Sequence, residues 1–335
     1  MGKRVSLKDI AKKVGVSTAL VSYVLNGKEK EKRVGKDVVK KIREVAAELN
    51  YRPNQIARSL RQGATKTIGL IVADIGNPFF GTMVRVIEDE ANKFGYNVLF
   101  GSSDEDSGKL GALIDTLCNR QVDGFIIVPP EGSESHIKGL LEREIPIVLV
   151  DRTMEGQNIN HVLIDNISAT YEATNYLINH GYRKIAIVAN KSSLNPMSER
   201  IEGYRRAMKA RNLADEIRVE LVKYDHTKGD MAKSLDKLLL KDPKVEALIF
   251  TTNSLSISGL YYFRDSDLKV PDDVAFIGFD GDEAFDFFYS PITYIVQPVE
   301  EMGKESVRLL LDQINGPGKT VQIRLKHFFI EQQSC

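Results

Sequence analysis

The chain has 335 residues, 42% hydrophobic and 27% charged, with a formal net charge of zero, the profile of a globular protein with room for two or three domains. No run reaches the apolar length of a membrane-spanning helix, the start MGKRVSLKDIAKK lacks the apolar core of a signal peptide, and two cysteines, Cys118 and Cys335, allow neither a disulfide framework nor a cysteine metal cluster. The chain therefore reads as cytoplasmic, with no membrane partner. Its zero balance hides a division: residues 1–63 hold 16 Lys+Arg against 6 Asp+Glu (+10), and subtraction from 46 and 46 leaves 30 basic and 40 acidic residues (−10) in 64–335. Such an asymmetry implies a head that meets a polyanion, attached to a body that does not.

The first predicted element is a helix from Leu7, with Ser6 placed to cap it and Asp9 three residues on; Leu7, Ile10, Ala11 and Val14 share one face before Gly15 interrupts. A second helix, about Ser17 to Asn26, turns Leu20, Val21, Val24 and Leu25 inward, with Ser17 as its cap. A third, roughly Lys36 to Leu49, repeats the pattern with Val38, Val39, Ile42, Val45, Ala46 and Leu49. Two short helices around a glycine turn make a helix-turn-helix, whose second helix enters the major groove of double-stranded DNA. Thr18, Ala19 and Tyr23 then face base edges: Thr18 can hydrogen-bond, Ala19 can touch a thymine methyl, and Tyr23 offers ring and hydroxyl. Ser17, Ser22 and Asn26 suit phosphates, and Ser6 and Tyr51 complete the candidate contact set of the head. The alternatives are an ordinary helical hairpin and a solvated lysine-rich tail; charge and helical periodicity together argue against both.

Residues 52–67, RPNQIARSLRQGATKT, combine a helix start at Pro53 and Asn54 with a stop at Gly63. A helix this short is marginal in water and needs partners. Asn54, Gln55, Ala57 and Arg58 suit the minor groove or phosphates, and Leu60 suits an apolar wedge that unstacks a base step; the alternative packs Leu60 on the third helix.

SLKDIAKKVGVSTALVSYVLNG followed by LNYRPNQIARSLRQGATKTIGLIV resembles the LacI/GalR family of bacterial transcription regulators. The similarity is dense through residues 5–74 and continues to about residue 300. It implies a DNA-binding domain at 1–52, a hinge helix and linker at 53–66, and an effector-binding and dimerisation domain at 67–335. NGKEKEKRVGK departs from the pattern: it is a few residues longer than the usual connection to the third helix, and Gly35 sits where a Ser or Thr cap is common.

From Thr67 the chain alternates β-rich and helical runs. TIGLIVADI, YNVLFGSS, VDGFIIVPP and IPIVLVD read as buried parallel strands, and KIAIVAN, IRVELVKY, VEALIFTT and VAFIGFD repeat the series after about residue 165. The fold class is α/β: doubly wound parallel sheets in two lobes, behind a helical head. The resemblance implies a periplasmic-binding-protein arrangement crossed three times, near Leu163, Ser290 and Thr320. One lobe then holds about 67–163 and 291–319, the other about 164–290 and 320–333.

Ligands of open α/β sheets bind beyond the carboxyl ends of strands. Those ends offer Asn77, Phe79, Phe80, Asp151 and Arg152 in the first series, and Arg200, Asn253, Asp280 and Gln297 in the second. Carboxylates and amides satisfy hydroxyls, arginine supplies a forked donor, and aromatic faces cover C–H surface, so the set suits a polyhydroxylated ligand. The resemblance implies ligand-lining roles for the same positions and adds Asp165 at the first crossing. Ser254 departs from the Asn-Asp pair common there. Each residue also has a structural reading, as turn, helix cap or core.

An enzyme, for instance a carbohydrate-processing one, is the competing class. His136, His161, His180, His226 and His327 are scattered, and no phosphate loop or nucleophile–base pair stands out, so no catalytic residue, metal ligand or cofactor is assigned. The expectation is a repressor whose two heads read a pseudo-palindromic operator as a homodimer and are released by a sugar or sugar phosphate. A purine, a nucleoside or a phosphocarrier protein is the alternative signal. Met83, Val84 and Ile87 serve either the dimer surface or the core, and the ending EQQSC argues for a dimer over a tail-made tetramer.

Overall fold

The computed structural model describes residues 5–51, 64–154, 156–224, 228–240, 244–316 and 318–335. They form two compact units, residues 1–65 and 66–335. In the first, α1 (Leu7–Val14), α2 (Thr18–Leu25) and α3 (Lys36–Glu48) enclose a core of Ile10, Ala11, Val21, Val24, Val39, Ile42, Val45 and Ala46. Gly15 ends α1 with φ 84°, a left-handed cap that lets the chain turn sharply into α2. Gly35 is the N-cap of α3 and offers no side-chain bond, so that helix starts without the usual hydroxyl.

The second unit contains two six-stranded sheets. One has the order β11-β5-β4-β3-β1-β2, the other β12-β10-β9-β8-β6-β7, with strands β1 (Thr67–Val72), β2 (Asn97–Ser102), β3 (Phe125–Ile127), β4 (Ile147–Val150), β5 (Asn160–Ile164), β6 (Ile185–Asn190), β7 (Arg218–Val222), β8 (Ala247–Phe250), β9 (Ala275–Phe279), β10 (Thr293–Val296), β11 (Gln322–Leu325) and β12 (Phe328–Ile330). All pairings are parallel except β10 with β12. The helices that matter for the site are α4 (Pro78–Lys93) in the first lobe, and α7 (Asn166–Asn179), α8 (Asn195–Ala210) and α10 (Asn253–Asp265) in the second. Central strands β1, β3, β4, β6, β8 and β9 are almost wholly buried, as their apolar, β-branched runs require. By contrast, the sheet edges β2 and β7 are only partly covered, β2 with no buried residue and β7 half-buried apart from exposed Leu221 and buried Val222, so the expectation of full burial fails for YNVLFGSS and IRVELVKY.

The chain passes between the sheets after Ile164, after Val296 and after Leu325. The last two crossings come later than Ser290 and Thr320. Residues 293–296 pair with β9 and belong to the second sheet; residues 322–325 pair with β5 and belong to the first. Strand pairing, which the local pattern does not encode, moves both boundaries. Met83 and Ile87 are fully buried and serve the interior, whereas Val84 is half-buried at the edge of the same core.

Candidate functional site

One side of α2 is open to solvent. Val21 and Val24 tie α2 to the core, and the opposite side exposes Thr18, Ala19 and Tyr23. The flanking groups are already engaged within the head. Ser17 Oγ accepts from Leu20 N–H at 3.2 Å and caps α2. Asn26 Nδ2 donates to the Ser22 carbonyl at 2.6 Å and to its hydroxyl at 3.2 Å. Ser6 N–H and Oγ donate to Asp9 Oδ2 at 2.8 and 2.7 Å. Tyr51 is half-buried against the three-helix core, which makes its ring chiefly a packing element. Asn54, Gln55, Ala57, Arg58 and Leu60 lie outside the described residues.

In the body, a cavity of about 170 Å³ opens between the lobes, and most of the strand-end residues meet there: Asn77, Phe79, Phe80, Asp151, Arg152, Arg200, Asp280 and Gln297. Two equivalent turns build it. Asp151 follows β4 with φ 66°, and Asp280 follows β9 with φ 56°; their N–H groups donate to Val162 O at 3.0 Å and to Ile295 O at 2.8 Å. A left-handed backbone is uncommon outside glycine and is held here by the neighbouring strand, as functional turns often are. Each lobe thus contributes one buried carboxylate.

The cations beside these carboxylates are held in place. Arg152 makes a two-pronged pair with Glu105 (2.6 and 2.5 Å) and lies 3.4 Å from Asp151 Oδ2. Arg200 donates from Nε to Asn166 Oδ1 at 2.7 Å and from Nη1 to Thr251 O at 2.5 Å, with its guanidinium 3.7 Å from the centroid of the Phe279 ring. Gln297 Nε2 donates to Asp280 Oδ1 at 2.9 Å, while Gln297 Oε1 and Asn190 Oδ1 are buried acceptors without a protein donor. Burial pushes the Asp280 carboxyl up to about 6 against the pull of Arg200 and Gln297. Burial raises Asp151 in the same way, opposed by Arg152 and Arg200. Phe79 and Phe80, edge to face at 4.9 Å, supply the apolar wall.

Two expected members do not line the cavity. Asp165 Oδ1 accepts from Ser168 N–H at 2.9 Å, so this carboxylate is used in starting α7. Asn253 is buried behind the site and donates to Asp280 O at 3.1 Å and Asp282 Oδ2 at 3.2 Å, which makes it a support for the Asp280 turn. The cavity adds Glu105, Glu131, Asn190, Lys191, Tyr224 and Ser254 among others. Most of these also stand just beyond strand ends, so the rule that points to Asp151 points to them as well.

A helix-turn-helix head together with a two-lobed α/β body around a polar cleft defines a class: regulators that bind DNA and carry a periplasmic-binding-type effector domain. The comparisons with known proteins then identify the family. Residues 6–54 match the model of bacterial regulatory proteins, lacI family, and residues 65–333 match that of periplasmic binding proteins and the sugar-binding domain of the LacI family. The HTH-type transcriptional regulator RegA of Clostridium saccharobutylicum is 32% identical, over 98% of each chain. A solved complex of the transcriptional regulator CelR with cellobiose is 26% identical, covers 99% of this chain and 100% of its own, and superposes with a TM-score of 0.71. A LacI family regulator from Enterococcus faecium with bound ribose is 27% identical and covers 80% and 98%, also with a TM-score of 0.71. The chain belongs to the LacI family: it is a DNA-binding transcriptional regulator and not an enzyme. Among the described residues, no helix is long and apolar enough to cross a membrane.

Proposed function

We propose that the effector is an uncharged, polyhydroxylated molecule, a free sugar, and that its binding between the lobes sets the affinity of a homodimer for a pseudo-palindromic operator. One observation carries this reading: Asp151 and Asp280, from opposite lobes, converge with Arg152, Arg200 and Gln297 on one cavity whose unsatisfied buried groups are acceptors. Hydroxyl donors match such groups. Glu105, Glu131, Asp151 and Asp280 outnumber Lys191, Arg152 and Arg200, and Arg152 is already neutralised by Glu105, which disfavours a phosphate. The cellobiose and ribose complexes of relatives add support by likeness. Ile75, Phe94, Leu99 and Phe100, exposed apolar side chains of the first lobe, are the surface we assign to the dimer. Release of the operator on sugar binding is the direction we favour, and the coupling is reciprocal: DNA shifts sugar affinity by the same factor.

Calorimetric titration with pentoses, hexoses, disaccharides, their phosphates and nucleobases tests the reading. Binding of one neutral sugar, with its phosphate at least tenfold weaker, is the expected result. Binding only by a nucleobase, or by no small molecule at all, would sink it.

A further inference from the structure

The loop between α2 and α3, where the chain departs from the family pattern, is a built element. Gly27 leaves α2 with φ 72°. Lys32 N–H then donates to Lys28 O at 3.0 Å and Val34 N–H to Glu29 O at 2.9 Å, so the loop folds on itself. It is pinned twice to the rest of the head: Val34 packs against the three-helix core, and Glu29 Oε1 accepts from Arg43 of α3 at 2.7 Å. These anchors hold Lys32 beside the open face of α2. Its Nζ lies 5.7 Å from the centroid of the Tyr23 ring and 3.0 Å from Glu31 Oε1.

We infer that Lys32 is a DNA contact supplied from outside the recognition helix, one that steadies the Tyr23 ring while its ammonium meets a phosphate beside the base step that Tyr23 addresses. The inference rests on the DNA-binding reading of this face. An ammonium has three donors, so it can lie over an aromatic ring and bind a phosphate together. Glu31 occupies that ammonium in the free head and competes with the phosphate for it. Glu31 is therefore a brake on affinity, although it stands in a loop of net positive charge.

The test uses the full-length protein and a duplex selected by it from a random library, with affinity measured by fluorescence anisotropy across a salt series. Lys32→Gln should bind several-fold more weakly near 0.1 M salt, and its log–log salt slope should be shallower by about 0.9 for each phosphate that the ammonium no longer neutralises. Lys32→Arg should keep the slope. Glu31→Gln should bind more tightly than the unaltered protein, and most of that gain should vanish in the Glu31→Gln, Lys32→Gln double variant, which separates release of the Lys32 ammonium from the general effect of removing a negative charge near DNA. An unchanged slope in a folded Lys32→Gln, or weaker binding by Glu31→Gln, overturns the inference alone. Failure of the unaltered protein to select any duplex overturns it together with the reading on which it rests.

Discussion

Tyr224 of the second lobe donates its hydroxyl to Asp74 of the first at 2.8 Å, across the cleft. Three further bonds join the lobes nearby: Ser193 Oγ to Glu131 Oε1 at 2.5 Å, Ser192 Oγ to Glu131 Oε2 at 3.3 Å and Thr153 N–H to Asn195 Oδ1 at 3.1 Å. A hydrogen bond of this kind contributes about 0.5–1.5 kcal/mol net, which is the size of bias that tips a two-state lobe equilibrium. Burial and Asp74 both raise the Tyr224 phenol, so it remains a donor at any physiological pH. Tyr224→Phe keeps the ring and deletes the bond. Effector affinity should fall roughly 3- to 10-fold while the melting temperature barely moves; equal affinity by calorimetry would show that the latch carries no weight.

Asp280 gives the cleft a pH dependence. Burial raises its carboxyl from an ordinary 3.8 to about 6, so the folded body holds a proton more tightly than the unfolded chain. Its contribution to stability therefore falls as pH rises through that window and is most favourable below it. On the proposed sugar reading effector binding runs the other way, because the ionised form would accept ligand hydroxyls. Affinity should drop about tenfold between pH 7 and pH 5, and Asp280→Asn should flatten both profiles. Calorimetry and thermal melts at matched pH values check the two signs; a sugar affinity that rises on acidification would refute the assignment.

The legibility of this molecule in its sequence follows from what local pattern can encode. Apolar periodicity suffices for the three head helices and the central strands, because each carries an apolar face or run that only burial satisfies. The partly covered edges β2 and β7 read as buried in sequence, since YNVLF and IRVELV look apolar whatever their place in the strand order. Asp151 and Asp280 are legible as polar residues ending apolar runs, whereas Glu105 sits in the acidic stretch DEDS, which reads equally as a solvated turn. Asp165 shows the converse: a carboxylate at a helix start can cap or bind, and only geometry assigns it to the cap.

Glu105 sets the charge of the cleft floor. Its two-pronged pair with Arg152 uses the guanidinium edge that would otherwise greet an anion. Glu105→Gln keeps the shape but removes one negative charge and loosens the pair. The preference for a free sugar over its phosphate should narrow by about tenfold, close to 1.4 kcal/mol. Parallel titrations of both ligands measure the ratio, and an unchanged preference would place phosphate rejection elsewhere.

Gly203 decides how Arg200 reaches the cleft. A Cβ at Gly203 would stand 2.2 Å from Ile167 O and 2.3 Å from Thr170 Oγ1, so α8 and α7 meet backbone to backbone there. The same contact is tied by Thr170 Oγ1, which donates to the Arg200 carbonyl at 2.7 Å. The obstacle includes a backbone oxygen, and it cannot rotate away as a flexible side chain would. Gly203→Ala must push the helices apart, at a cost of about 1–3 kcal/mol. Because Arg200 rides on the displaced helix, with Asn166 of α7 as its partner, effector affinity should fall along with stability. A folded Gly203→Ala protein that melts lower yet binds effector with unaltered affinity would show that the close helix approach does not position Arg200.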